Sequence, residues 1–397
     1  MSKNILHLLL TSFLFLIGCG SPNNMNVVSS EKITDQRVAS INFDTLQIIS
    51  SAEKYLQRNP TTITAFRAER SIGGIHDYYS EGSYWWINPE DPTGPFIRKD
   101  GERNPNNFIE HKKVLREFCV IVSTLTAAYK LTSDERYANH AIKHIQAWFV
   151  NTSTKMNPHL LYAQAIKGIS SGRGIGIIDT VRLIDVALSV LFLKEKGILK
   201  DESLADVKKW FNAYCDWLTS HSYGIDERDQ NNNHSTWWGA QVAAYAAVAE
   251  RDDVIKLCQN EFKKQLNIQM AEDGSFPEEI SRTRPFHYMN YNLRAWCTYA
   301  LLASTKTENL WAYKSNNGTL QKAIDYIIPY YKSPGTWKYL TALEKEILPH
   351  QNDFLVFSYW GLGKKEYLEL WKDLPKNKNK IGAGDENLVL CENHISK

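Results

Sequence analysis

The 397-residue chain lacks most of the short signatures that announce an enzyme's chemistry. There is no HExxH, and the 11 histidines are mostly dispersed, so no preformed metal site is expected. The glycines of Ser170-Ser171-Gly172-Arg173-Gly174-Ile175-Gly176 miss the GxGxxG spacing, and no βαβ frame surrounds them. A tight turn presenting Arg173 is expected there, and no cofactor. Neither sign of charge dominates. With 46 basic and 44 acidic side chains the formal net charge is +2, which gives no support for a nucleic-acid partner. Only six cysteines occur, with no CxxC pair and no zinc-like spacing. Most are expected to be small buried hydrophobes, although a disulfide is permitted in an exported chain.

Long apolar runs are missing too, except at the N-terminus. Lys3 precedes a mostly apolar stretch, 5–17, that is too short for an ordinary transmembrane helix. Leu16-Ile17-Gly18-Cys19 reads as a lipobox, so residues 1–18 are expected to be a signal peptide, cleaved before a lipidated Cys19. Residues 19–40 are polar and rich in Asn and Ser, which suits a tether. The expected location is lipid-anchored, on the periplasmic side of a membrane or at the cell surface. No acidic stretch follows Cys19, which favours the periplasm.

What the chain does have is helical periodicity and aromatic rings. Apolar residues recur at helical spacing over 108–131 and 136–150, with Ser133-Asp134-Glu135 opening the second helix. Similar segments follow near 176–195, 203–220, 236–250, 252–271, 288–305 and 318–331. Short connections predict antiparallel neighbours. The fold class is therefore all-α: helix pairs closing into an (α/α) toroid over 41–375, with an open solenoid as the competing architecture. Residues 376–397 read as a C-terminal extension or a short strand. Two long non-helical stretches, 71–107 and 155–174, are expected to line a groove.

Polar and aromatic groups gather at four places. The run Gln230-Asn231-Asn232-Asn233-His234-Ser235-Thr236-Trp237-Trp238 sits where apolar periodicity begins, so it marks a helix mouth. It reads either as a plain N-cap over core tryptophans or as a site beside a sugar-stacking surface. The first long loop alternates rings with cations: Tyr84, Trp85, Trp86, Arg98 and Lys99. Rings suit sugar faces and Arg suits a carboxylate. The second loop groups Asn157, His159, Tyr162 and Gln164 ahead of Arg173. The fourth place is Arg282-Thr283-Arg284-Pro285-Phe286-His287-Tyr288. Pro285 suits a helix start, and Tyr288, Tyr291 and Asn292 then share a face. The arginines are expected to lower a nearby phenol's pKa and hold a carboxylate. Asp226, Glu227, Asp229, Glu278 and Glu279 keep a toroid-fold glycoside hydrolase open as well.

Taken in order, Tyr84-Trp85-Trp86…Asn88-Pro89, Arg98…Asp100-Gly101…Asn104-Pro105, Met156-Asn157-Pro158…Tyr162-Ala163-Gln164, Asn232-Asn233-His234…Trp237 and Arg282-Thr283-Arg284…Tyr288 resemble the alginate lyase superfamily. The resemblance spans roughly residues 70–370. It implies an (α/α) toroid that cleaves a polyuronate by β-elimination, acting as a monomer on an acidic polysaccharide. It implies catalytic roles for Asn233, His234, Tyr288 and Arg282 or Arg284, with Asn232 an alternative to Asn233. It places Trp85, Trp86, Arg98, Asn157, Tyr162, Gln164, Arg173, Asn232, Trp237 and Tyr291 along the substrate. A surface protein that only captures glycan would need the same rings and cations, but neither acid nor base.

Overall fold

The structure, a computed structural model, describes residues 41, 43–376 and 385–392. Cys19 and the expected signal peptide and tether lie outside these residues. Helix accounts for 59% and strand for 6%, so every layer of the fold is helical.

Helix α1 spans Thr45–Tyr55, α2 Glu110–Thr132, α3 Glu135–Phe149, α4 Leu183–Glu195, α5 Asp201–Ser220, α6 Ser222–Arg228, α7 Asn233–Ala249 and α8 Asp252–Gln269. Then come α9 Pro277–Ile280, α10 Pro285–Ala303, α11 Leu320–Lys332, α12 Asp353–Leu362, α13 Lys365–Asp373 and α14 Glu386–Cys391. Neighbouring inner helices follow the order α2, α4, α7, α10, α12. They form an incomplete toroid rather than a closed barrel. The sequence explains which helices go inside. Helix α7 is buried from Asn233 through Ala246 with His234 the one partial exception, because its apolar residues surround the whole helix. Helices α3 and α8 are apolar on one face only and pack outside.

Close packing at the centre depends on Gly239. A Cβ there would sit 2.0 Å from the Tyr299 ring, so only glycine lets α7 approach α10 this closely. Buried rings fill the rest of the core: Trp148, Trp237, Trp238, Trp296 and Trp360 are all essentially inaccessible. The five described cysteines are buried free thiols.

Several boundaries moved. The stretch expected as one helix over 176–195 is a 3-10 segment, Gly174–Thr180, followed by α4. Helix α10 starts at Pro285, three residues earlier than its periodicity suggested, because Pro285 supplies the fixed φ of a first helical position. Residues 386–391, expected as part of an extension, form α14 against α2 and α4. The Asn387 amide donates to Asp185 there. A buried, hydrogen-bonded helix could not be read from a tail so rich in Lys, Asn and Gly.

The two long loops carry short strands and meet. Strand β1 (Tyr79–Glu81) pairs in parallel with β4 (Tyr162–Ala165), with Tyr79 opposite Tyr162. Strand β2 (Trp85–Trp86) pairs with β3 (Ile97–Arg98) and sets Trp85 opposite Arg98. The remaining pair, β5 (Lys314–Ser315) and β6 (Gly318–Thr319), is a hairpin. Among the described residues no helix is long and apolar enough to cross a membrane.

Candidate active site

The site begins at the mouth of α7. Asn232 is the N-cap, and its side chain accepts the His234 backbone N–H at 3.0 Å. Asn233 and His234 are then the first two helical residues. Capping and presentation of the imidazole are thus one arrangement, not alternatives.

His234 is held by a residue from the short helix before it. Its Nδ1 lies 2.7 Å from Oε1 of Glu227, a fully buried carboxylate on α6. That contact puts the proton on Nδ1 and leaves Nε2 as the nitrogen available for chemistry. Burial alone would lower the His234 pKa. The Glu227 carboxylate, assisted by Glu279, outweighs that, and the ring titrates above its ordinary value. Burial pushes the Glu227 pKa up as well, against the pull of His234.

Asn233 is pinned by a second buried carboxylate. Glu279, on α9, accepts the Asn233 backbone N–H at 2.5 Å and the side-chain Nδ2 at 3.0 and 2.9 Å. Three residues after Glu279 comes Arg282. Its Nη2 donates to the Tyr288 hydroxyl at 2.9 Å, and its guanidinium carbon lies 3.9 Å from the phenol centroid. The Tyr84 hydroxyl, reaching in from the first long loop, is 3.4 Å from that of Tyr288.

Burial and the Tyr84 hydroxyl push the Tyr288 pKa up, and Arg282 opposes them without prevailing. The expected lowering by arginine is therefore corrected. One guanidinium reaches the phenol, and desolvation of the phenolate costs more than it returns. Tyr288 rests protonated.

Of the two arginines, Arg282 is the one that meets the phenol. It is mostly buried and contacts both Tyr288 and Asp100, the latter at 3.4 Å. Arg284 is exposed at the N-terminus of α10. Asp100 ties the first long loop to this turn by accepting from Arg282 and from Thr283 Oγ1 at 3.2 Å, and within the loop it accepts from Arg98 at 2.8 Å. Burial works against its ionisation, but the Arg282 and Arg98 charges hold its pKa below the usual value.

The loop strands supply the flank. Arg173 donates through Nε to the Gln164 carbonyl at 2.9 Å and through Nη2 to Oε1 of Gln164 at 3.3 Å, with its guanidinium 5.8 Å from the Trp85 ring centroid. Burial, with Arg98 nearby, lowers the Arg173 pKa to about 10, so it stays a cation at neutral pH. Tyr162 and Gln164 share the accessible face of β4. Trp85 and Trp86 are half-buried, and Lys99 lies 5.1 Å over Trp86.

Two expected contacts fall differently. Trp237 is 2% exposed and packs 5.2 Å from Tyr291, so it supports the site from below and offers no stacking wall. It shares a face with His234, but one turn further in the helix is buried on nearly every side and the ring is already enclosed. The Asn157 amide is spent on Asp77 at 2.7 Å, within the loops. Tyr291 is half-buried, between Trp237 and a His287 ring stacked at 6.2 Å.

Sequence reasoning missed the partners. Glu227 and Glu279 stood out only among five carboxylates that kept a hydrolase open, yet each is committed to a neighbouring site residue. Asp226, Asp229 and Glu278 are exposed. A residue seven positions before His234 was the available signal for Glu227. Nothing local marked Tyr84 as the neighbour of Tyr288, 204 residues away. Gly168-Ile169-Ser170-Ser171-Gly172 fits the letters GxSxG, but Ser170 Oγ donates to the Gly172 carbonyl at 2.5 Å within a turn. Among the described residues no group of three or more His, Cys, Asp or Glu is placed to hold a metal ion.

A helical toroid whose groove presents an imidazole, a guanidinium and a phenol defines a polysaccharide lyase. Residues 62–337 match the alginate lyase family, and the chain belongs to it. An alginate lyase from Bacteroides ovatus shares 25% identity at a TM-score of 0.77, covering 91% of this chain and 97% of its own. Alginate lyase A1-III from Sphingomonas species A1 shares the fold at 17% identity and a TM-score of 0.56, with 91% and 93% covered. A variant of A1-III complexed with a tetrasaccharide gives 16% identity and a TM-score of 0.59 over the same shares. No curated protein sequence matches the chain.

Proposed function

We propose that the enzyme cleaves a polyuronate by β-elimination, leaving 4,5-unsaturated uronate ends, with alginate the first substrate and glucuronan the second. The observation that carries this reading is the protonated Tyr288 phenol on Arg282, beside an α7 mouth where Glu227 fixes His234. The names of the related proteins support alginate.

Elimination removes the proton at C5, next to the uronate carboxylate, and charge builds on that carboxylate as it leaves. Arg282, with an amide hydrogen of Asn233, stabilises this charge more in the transition state than in the ground state, which lowers the barrier. Tyr288, protonated at rest, gives its proton to O4 as the glycosidic bond breaks. His234, once neutral, accepts the C5 proton at Nε2 when base and acid act from opposite faces, as on guluronate. On mannuronate and glucuronate, which share one configuration at C4 and C5, both protons are handled on one face. Tyr288 would then have to ionise first, which its burial opposes. Arg98, Arg173, Tyr162, Gln164, Trp85 and Trp86 extend the groove for neighbouring sugars.

In the same reading, residues 1–18 are a signal peptide, Cys19 carries a lipid and 19–40 tether a monomeric catalytic domain in the periplasm or at the cell surface. Incubation with alginate and with glucuronan, followed by ultraviolet absorbance of the new double bond, tests the activity. Absorbance with wild type and none with Tyr288→Phe is expected. New reducing ends without absorbance would indicate hydrolysis, and binding without either would indicate capture.

A further inference from the structure

Glu279 has no part in the mechanism above, yet it is fully buried at the centre of the site. Both its oxygens accept, and neither donates: Oε1 takes the Asn233 backbone N–H and Nδ2, and Oε2 takes Nδ2. Such a set of donors favours the ionised carboxylate, against the burial that raises the Glu279 pKa. A buried carboxylate held this way is expensive, so its partners have a defined geometry. The Nδ2 distances of 3.0 and 2.9 Å are nearly equal. One N–H pointed between the two oxygens gives that pattern, and it leaves the second N–H of the same amide unspent.

Glu279 also joins two pieces of chain that are far apart in sequence. Asn233 opens α7, whereas Glu279 lies on α9, three residues before Arg282 and nine before Tyr288. The Glu279 contact fixes the first turn of α7 against the turn that carries the guanidinium. On the lyase reading above, these are the two halves that must grip one sugar.

We propose that Glu279 is a positioning residue. Its carboxylate orients the Asn233 amide so that the second N–H meets the uronate carboxylate, and it sets the spacing between that amide and Arg282. It touches neither substrate nor reacting atoms. Its effect therefore passes through Asn233, and it falls on the chemical step more than on binding. A misplacement of about 1 Å in such a group costs about 100-fold in rate.

The test is a double-mutant cycle on the full-length enzyme, read by the absorbance of unsaturated ends on alginate. Glu279→Gln keeps the shape but turns an amide donor toward the Asn233 donors. Its kcat is expected to fall about 100-fold, with KM changed less than about 3-fold. Asn233→Ala is expected to fall similarly, and the double variant no further than Asn233→Ala alone. Losses that multiply, or a Glu279→Gln rate within about 3-fold of wild type, would overturn the proposal. If Glu279→Gln does not accumulate as folded protein, Glu279→Asp takes its place in the cycle. That variant keeps the charge and shortens the reach by one methylene. Wild type without activity on any polyuronate would defeat the lyase reading itself. Active wild type with multiplying losses would defeat only the role given to Glu279.

Discussion

The Arg282 guanidinium both donates to the Tyr288 hydroxyl at 2.9 Å and covers the phenol ring, its carbon 3.9 Å from the centroid. It orients the phenol without ionising it, since burial keeps the Tyr288 pKa above its ordinary value. Loss of the hydroxyl should therefore remove the acid and nothing else. Tyr288→Phe is expected to lower kcat by about 100- to 10,000-fold while circular dichroism stays that of the wild type. Full activity would remove Tyr288 from the mechanism.

The two arginines of the turn should separate cleanly. Arg282→Ala deletes the cation beside the phenol and is expected to cost about 100- to 1,000-fold in kcat. Arg284→Ala alters an exposed side chain and should stay within about 3-fold of wild type. Steady-state rates on alginate decide it, and equal losses would return the choice between them to open ground.

Glu227 sets the pH at which His234 can act as a base. The carboxylate favours the imidazolium and holds its pKa above the ordinary value, while burial opposes it. A base must be neutral, so activity on an anti substrate should rise as pH climbs through that raised pKa. Glu227→Gln removes the negative charge, and burial is then unopposed by it. The acid limb of kcat/KM should move to lower pH, with a lower plateau because the ring is held less firmly. A limb that stays in place would show that His234 is not the titrating group.

His234→Ala distinguishes base from charge neutraliser. Defined oligomannuronate and oligoguluronate serve as substrates. Loss confined to guluronate is expected for a base on the opposite face. Equal loss on both would assign His234 to neutralisation.

The two kinds of tryptophan make a contrasting pair. Trp85 is half-buried on the loop strand opposite Arg98, so Trp85→Ala should raise KM several-fold with little change in melting temperature. Trp237 is enclosed, so Trp237→Ala should destabilise the fold by about 3–5 kcal/mol. Thermal unfolding beside the kinetics would show whether the roles are reversed.

Much of this protein was legible in its sequence, for local reasons. Helices with a polar face, such as α3 with its Asp134 cap, carry their period and start signal within about fifteen residues. The Asn232 cap, the Pro285 start and the loop rings are likewise local. The resemblance of five ordered motifs implied one site holding Asn233, His234, Tyr288 and either Arg282 or Arg284. Other features were not legible. Helices α12 and α14 are short and buried, with no polar stripe to phase them. The commitments of Glu227 and Glu279 depend on where two turns arrive, and Tyr84 reaches Tyr288 from a separate loop.

The sequence by itself determined the helical class, the helix mouth at 232–234 and the types of group available for catalysis, because hydrophobic period and capping act over a few residues. Only the tertiary structure decided that Arg282 rather than Arg284 meets the phenol, that Trp237 faces the core, and that Tyr288 stays protonated. Those outcomes follow from desolvation and from contacts between distant segments, and neither is a property of any stretch of chain taken alone.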